Sequence, residues 1–141
     1  MVYTDITRKA LKLAYERHAG QVDKGGVPYI FHPIHLAEQM ETAGEVCVAL
    51  LHDIVEDTDT TLEEIFAKFP YEVYHSVDLL TRKEGTTYRD YIERLKEDYT
   101  AKKVKIADLK HNMDLTRLPV VTEKDVERQK HYEKYLKILE S

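Results

Sequence analysis

Tryptophan is absent and cysteine occurs once, at Cys47, in a chain of 141 residues. A single thiol closes no disulfide within the chain and builds no multi-cysteine zinc site, which points to a reducing, cytoplasmic setting. Basic residues are also in short supply. There are 21 Lys and Arg against 26 Asp and Glu, a formal net charge of −5, and such a field repels a nucleic-acid backbone, so long DNA or RNA is not an expected partner. Nowhere do ~18 apolar residues run consecutively, and the opening Met1-Val2-Tyr3-Thr4-Asp5 has no apolar signal core, so neither a membrane span nor an export signal is expected. What is present, 43% hydrophobic and 33% charged residues, is the composition of a soluble globular protein, and the length suits one domain over residues 1–141.

Five glycines and four prolines cut the chain into helix-length pieces in which apolar residues recur at three and four rather than at two. This predicts an all-α, single-domain bundle of about seven helices. Asp5 is the expected N-cap of the first helix, which runs to Ala19-Gly20. Residues 20–31 are glycine-rich and read as a loop. Pro33 suits the first turn of a helix reaching Thr42 and stopped by Gly44, and a very apolar, buried helix is expected from Glu45 to about Val55. Thr61 and Glu64 fit a capping box over helix 61–69. Helices 71–81, 87–98, 101–118 and Thr122 to about Glu140 complete the reading.

Within the apolar helix, Ala49-Leu-Leu-His52-Asp53-Ile-Val-Glu56-Asp57 carries four ionisable groups in six positions. Buried carboxylates are costly without a compensating cation, and helical spacing stacks His52 over Glu56 and Asp53 over Asp57. A metal ion satisfies this arrangement; a structural His–Asp pair is the alternative. A second group, Lys105-Ile-Ala-Asp108-Leu-Lys-His-Asn112, places Asp108 and Asn112 one turn apart near an apolar face, as site residues or as members of a surface ion pair. A third, Tyr29-Ile-Phe-His32-Pro33, sets His32 at a loop-to-helix junction, as a ligand or in a structural role. Together these segments supply two imidazoles and two carboxylates, a donor set suited to Mn²⁺ or Fe²⁺. Such an ion acidifies water and polarises a phosphoryl oxygen, which is the chemistry of phosphoester or pyrophosphate hydrolysis.

The order His32, His52-Asp53, Asp108 resembles the H…HD…D pattern of the HD-domain metal phosphohydrolases. The strings GQVDKGGVPYIFHP, ALLHDIVEDTDTT and KIADLKHNM are similar to the hydrolase domain of the RelA/SpoT homologue family, in particular its small stand-alone alarmone hydrolases. The resemblance spans about residues 10 to 135. It implies that His32, His52, Asp53 and Asp108 bind one Mn²⁺, and that Glu56 and Asp57 orient or deprotonate the attacking water. It further implies that Asn112 contacts the substrate or that water, and that Lys24, Arg128 and Tyr132 contact the substrate. The implied activity is removal of the 3′-pyrophosphate from guanosine 3′,5′-bis(diphosphate). On the residues alone, Arg128 and Tyr132 share a helix face one turn apart, toward a substrate or toward solvent.

The chain departs from the family where it reads Val22-Asp23-Lys24, since a second basic residue usually precedes that lysine. Loss of this cation keeps open a nucleotidase or phosphatase acting on another phosphorylated metabolite; a nucleotide-binding sensor that retains the site without turnover is a separate alternative. His35 is expected on the surface or in an outer hydrogen bond and His111 in a structural position, while His18, His75 and His131 have no ligand-like context. Lys102, Lys103 and Lys105 read as a solvated helix start, or alternatively as the lining of an anionic cleft. Charge is segregated: residues 1–100 carry 11 basic and 19 acidic side chains, residues 101–141 carry 10 and 7. An acidic, cation-seeking segment thus stands against a more basic C-terminal third that would steer a small anionic nucleotide.

Overall fold

A computed structural model describes residues 1–141. Capping chemistry starts most of its helices. Thr4 and Thr122 each form a full capping box, with Thr7 and Asp125 respectively, and the side chains of Thr42, Thr61, Thr87 and Asp98 each accept an N–H of the first turn they precede. The result is α1 (Asp5–Arg17), α2 (Phe31–Glu38), α3 (Ala43–Leu51), α4 (Ile54–Asp57), α5 (Leu62–Lys68), α6 (Tyr71–Leu80), α7 (Tyr88–Leu95), α8 (Tyr99–Asn112) and α9 (Glu123–Glu140), with a 3₁₀ turn at Leu115–Arg117. The only β-type pairing is an isolated bridge between Val22 and Pro28. No helix is long and apolar enough to cross a membrane.

The most apolar segment is also the central one. Every residue of α3 from Glu45 to Leu51 is buried, and α3 packs against α1, α2, α6 and α8. Its single acid, Glu45, is satisfied by the Glu41 N–H at 2.9 Å and by Lys103 Nζ at 2.8 Å. Helix α9 closes the bundle over α7 and α8. Arg17 at the end of α1 makes a forked contact with Glu64 of α5, at 2.8 and 2.6 Å, and also donates to Thr60 Oγ1 at 2.9 Å, tying the chain beyond α4 back to α1.

The expected all-α architecture is present, with boundary differences that have local causes. The first N-cap is Thr4, not Asp5, because the Thr4 hydroxyl reaches the Thr7 N–H. Helix α2 begins at Phe31 and includes His32 in its first turn, then ends at Glu38 instead of Thr42. Gly44 lies inside α3 and stops nothing. The helix expected over 45–55 is broken, since Asp53 adopts φ −123°, ψ 11° and stands at the N-cap position of the separate turn α4, with no side-chain cap bond. The helix expected over 101–118 starts at Tyr99, where Asp98 caps it, and gives way to the 3₁₀ turn after Asn112.

Arg17 and then Lys68 hold the Glu64 carboxyl at about 2, below its ordinary 4.5. A depressed carboxylate stabilises the fold above its unfolded-state value and loses that contribution as pH falls through the folded-state value. The stability gap between wild type and Glu64→Gln in denaturant unfolding is therefore expected to narrow steadily from about pH 5 to about pH 3. A gap independent of pH would contradict the Arg17 tether.

Candidate metal centre and anion cleft

Three helix ends meet at the site. The first turn of α2 brings in His32, the break between α3 and α4 brings His52 and Asp53, and the inner face of α8 brings Lys105, Asp108 and Asn112 at intervals of three and four. His52 donates from Nδ1 to the Ala49 carbonyl at 2.7 Å, which turns its Nε2 toward the carboxylates. That nitrogen lies 3.5 Å from Asp53 Oδ2 and 3.6 Å from Asp108 Oδ1, while His32 Nε2 lies 2.8 Å from Asp108 Oδ1. The donor atoms of His32, His52 and Asp53 all fall within 4.8 Å of one another, a spacing that suits a single ion. The break at Asp53 matters here, because a continuous helix would carry Asp53 away around the helix axis from His52.

Electrostatics agrees with a cation-seeking centre. Burial, reinforced by the charges of Asp108 and Asp57, pushes the Asp53 carboxyl well above its ordinary range. Asp108 is buried too, yet the Lys105 ammonium at 3.0 Å and a hydrogen bond with His32 outweigh burial and hold its carboxyl well below that range. Burial alone would discharge Lys105; Asp108, with Tyr91 and Tyr88 around it, keeps the ammonium charged. Asn112 Nδ2 donates to Asp108 Oδ1 at 3.1 Å, and the Tyr29 hydroxyl donates to Asp53 Oδ2. The centre still lacks a partner for one carboxylate oxygen, Oδ1 of Asp53. Hard oxygen and imidazole nitrogen donors with an unsatisfied carboxylate fit a divalent cation.

His32 and Asn112 also line a cleft of about 300 Å³ whose other walls include Lys24, Arg117, Arg128 and Tyr132. Arg117 is paired with Asp23 at 3.2 Å and Arg128 with Asp125 at 3.1 Å, whereas Lys24 has no carboxylate partner. Burial and then the like charge of Arg128 lower the Lys24 ammonium's affinity for its proton. Asp125, in the same lining, offsets part of that repulsion, and an anion bound between the two cations would relieve the rest. Asp23 is no free negative charge: its Oδ1 accepts the N–H groups of Gly25 and Val27 at 2.8 and 3.0 Å. The loop runs so close to the 3₁₀ turn that a Cβ at Gly25 would lie 2.5 Å from the Arg117 carbonyl oxygen.

The structure gathers His32, His52, Asp53 and Asp108 at the centre, and Lys24, Asn112, Arg128 and Tyr132 in or beside the cleft. Asp57 stands near enough to Asp53 to raise its carboxyl. Glu56 is placed differently: it is exposed, its Oε1 accepts the Arg82 N–H at 2.6 Å, and it lines a depression with residues 82–86. Lys103 is engaged by Glu41 and Glu45 and Lys105 faces Asp108, so these two are not simply solvated, and none of Lys102, Lys103 and Lys105 lines the cleft. Two histidines that sequence reasoning left outside the site belong to it. His111 Nδ1 lies 2.7 Å from His32 Nδ1 with the rings nearly parallel, and His18 is buried with its Nε2 3.5 Å from Asp53 Oδ1. His111 lies three residues after Asp108, a one-turn spacing that was available as a signal; His18 had none beyond its place on the inner face of α1.

The sequence model of the HD domain matches residues 10–116. The chain belongs to the HD domain family. Among curated relatives of this HD domain, a probable GTP pyrophosphokinase of Mycobacterium leprae is 38% identical, over 79% of this chain and 16% of that protein. A guanosine-3′,5′-bis(diphosphate) 3′-pyrophosphohydrolase of Aquifex aeolicus is 34% identical, over 79% of this chain and 18% of its own length. The chain thus spans less than a fifth of these relatives. A solved structure described as a metazoan ortholog of SpoT that hydrolyzes ppGpp superposes with a TM-score of 0.80 at 24% identity, covering 99% of this chain and 87% of the other. That likeness establishes the shared fold.

The buried Lys105–Asp108 pair makes a direct prediction. Lys105→Met leaves Asp108 without its ammonium and is expected to cost about 3 kcal/mol in the metal-free protein. Added Mn²⁺, supplying positive charge to the same carboxylate, is expected to restore part of the loss in denaturant unfolding. Unchanged stability without the ion would contradict the pairing.

Proposed function

We propose that this HD domain is a divalent-cation-dependent phosphohydrolase that removes the 3′-pyrophosphate from guanosine 3′,5′-bis(diphosphate). The observation that carries the reading is the continuity of two features: a buried His–His–Asp cluster with an unpartnered carboxylate oxygen, and a cleft sharing His32 in which Lys24 and Arg128 oppose each other. His32, His52, Asp53 and Asp108 would hold the cation, and the donor set suits Mn²⁺ or Fe²⁺. A cation there supplies Lewis acidity, polarising a phosphoryl oxygen and acidifying water. The names of relatives support the substrate: those of Aquifex aeolicus, Borreliella burgdorferi and Escherichia coli O157:H7 are called guanosine-3′,5′-bis(diphosphate) 3′-pyrophosphohydrolases. The relatives named pyrophosphokinases and those named pyrophosphohydrolases are alike proteins of which this chain matches less than a fifth.

The chain's own residues divide the work. Lys24 and Arg128 bind phosphate oxygens and neutralise their charge, and Tyr132, one turn beyond Arg128, offers a hydroxyl to the same ligand. Asn112 keeps one amide hydrogen on Asp108 Oδ1 and has a second for the substrate or the attacking water. Water attacks the phosphorus of the 3′-pyrophosphate, the ribose 3′-oxygen leaves with the bonding pair, and Asp57 takes the water's proton. Glu56 joins this step by exchanging the Arg82 N–H for the water. A small soluble nucleotide is the partner, and the cytoplasm is where it is met.

The Asp23–Arg117 pair supports one further reading, because it removes a cation from the cleft. On that reading the substrate carries fewer phosphates, and the enzyme is a nucleotidase. A nucleotide panel with Mn²⁺ separates the possibilities. The expected result is pyrophosphate and GDP from guanosine 3′,5′-bis(diphosphate), abolished in Asp53→Asn, with Arg128→Ala raising KM about tenfold while kcat changes less. Orthophosphate from nucleoside monophosphates without pyrophosphate release would favour the nucleotidase. Tight nucleotide binding with no turnover, Mn²⁺ being bound, would instead mark a sensor.

A further inference from the structure

Two buried side-chain atoms have no hydrogen-bond partner, Nε2 of His18 and Oδ1 of Asp53. They face each other at 3.5 Å, and the His18 side chain is 0% exposed. His18 stands outside the cluster of His32, His52 and Asp53 whose donor atoms share one neighbourhood, so it is not another ligand of the same kind.

The other imidazole nitrogen decides what His18 presents. His18 Nδ1 lies 2.8 Å from Gln21 Oε1, while Gln21 Nε2 donates to the Asp57 carbonyl oxygen at 2.8 Å. A carbonyl oxygen only accepts, so the amide nitrogen must face Asp57 and the amide oxygen must face His18. That amide oxygen also only accepts. The proton of neutral His18 therefore sits on Nδ1, and Nε2 turns a lone pair toward Asp53 Oδ1. With Asp53 ionised, two acceptors oppose one another in the interior, an arrangement that costs free energy unless a positive group satisfies the carboxylate oxygen. Tyr29 anchors the other oxygen, Oδ2, by donating its hydroxyl, and its ring packs at 5.0 Å against that of His18.

We propose that His18, held in one tautomer by Gln21, is a positioning residue of the cation site: by presenting a lone pair in place of an N–H, it reserves Asp53 Oδ1 for the ion. The inference rests on the cation-binding reading of the site. Its consequence is unusual in sign. An N–H from His18 would compete with the cation for Asp53, so removing the restraint harms binding, while then removing the imidazole repairs it.

The test has one readout that needs no metal. In ¹⁵N-labelled metal-free protein, side-chain NMR is expected to find the His18 proton on Nδ1, and in Gln21→Leu on Nε2. Titration with Mn²⁺ alone, followed by calorimetry, is expected to show about tenfold weaker binding in Gln21→Leu, restored to within about threefold of wild type in His18→Leu/Gln21→Leu. Gln21 is partly exposed, so its replacement leaves the core intact. A proton on Nε2 in the wild type overturns the role of His18 and leaves the cation site standing. So does Gln21→Leu binding as tightly as wild type, or a double variant as weak as the single one. Wild-type protein that binds no Mn²⁺ overturns the cation-binding reading and this inference with it.

Discussion

Asp108 is buried within the helical bundle and Asp53 largely so, and only one ammonium, that of Lys105, comes with them. Taking a carboxylate out of water costs several kcal/mol unless positive charge or hydrogen bonds compensate. Asp108 is compensated by Lys105, His32 and Asn112. Asp53 has the Tyr29 hydroxyl on one oxygen and nothing on the other. That imbalance leaves a group of side chains that could hold a cation, and much of the surrounding structure serves to keep it. The apolar α3 must be central to bury its end, the helix must break at Asp53 to aim the carboxylate, and Ala49 must accept the His52 proton so that Nε2 points inward.

The cleft beside the centre gathers Lys24, Arg117 and Arg128 in one lining, where Asp23 and Asp125 pair with the two arginines and Lys24 is left without a carboxylate partner. The walls are brought together by a glycine. Gly25 lets loop 22–28 close on the Arg117 carbonyl oxygen, and Asp23 ties that contact electrostatically while spending Arg117. The basic C-terminal segment contributes Arg117 and Arg128 to the cleft, but Lys102, Lys103 and Lys110 do not line it.

Periodicity was enough to read an all-α chain, because apolar residues at three and four report a buried helical stripe wherever it ends up packing. The cap at Thr61 was legible, but the expected capping box is only half closed, because the Glu64 carboxylate is drawn to Arg17 and Lys68. The break at Asp53 was not legible. Ile54 and Val55 continue the apolar pattern, and nothing local distinguishes a helix from two helical turns joined by a bent residue. For the same reason Glu56 was expected to stack under His52, whereas the bend turns it toward the Arg82 N–H.

The identities of His32, His52, Asp53 and Asp108 as a cation-seeking set were written in residue type and order, since ionisable side chains in apolar helices need compensation whatever the topology. Their separations in the chain, from Asp53 to Asp108 above all, say nothing about distance in space, and only the packing of α2, α3 and α8 brings them together. The assignments of His18 and His111 belong wholly to tertiary structure. Each sits on a helix where it reads as an ordinary core or surface imidazole, and each acquires meaning from one partner far along the chain, Asp53 and His32 respectively. A hydrogen bond is decided by angstroms and by which nitrogen holds the proton, and neither quantity exists until the chain has folded.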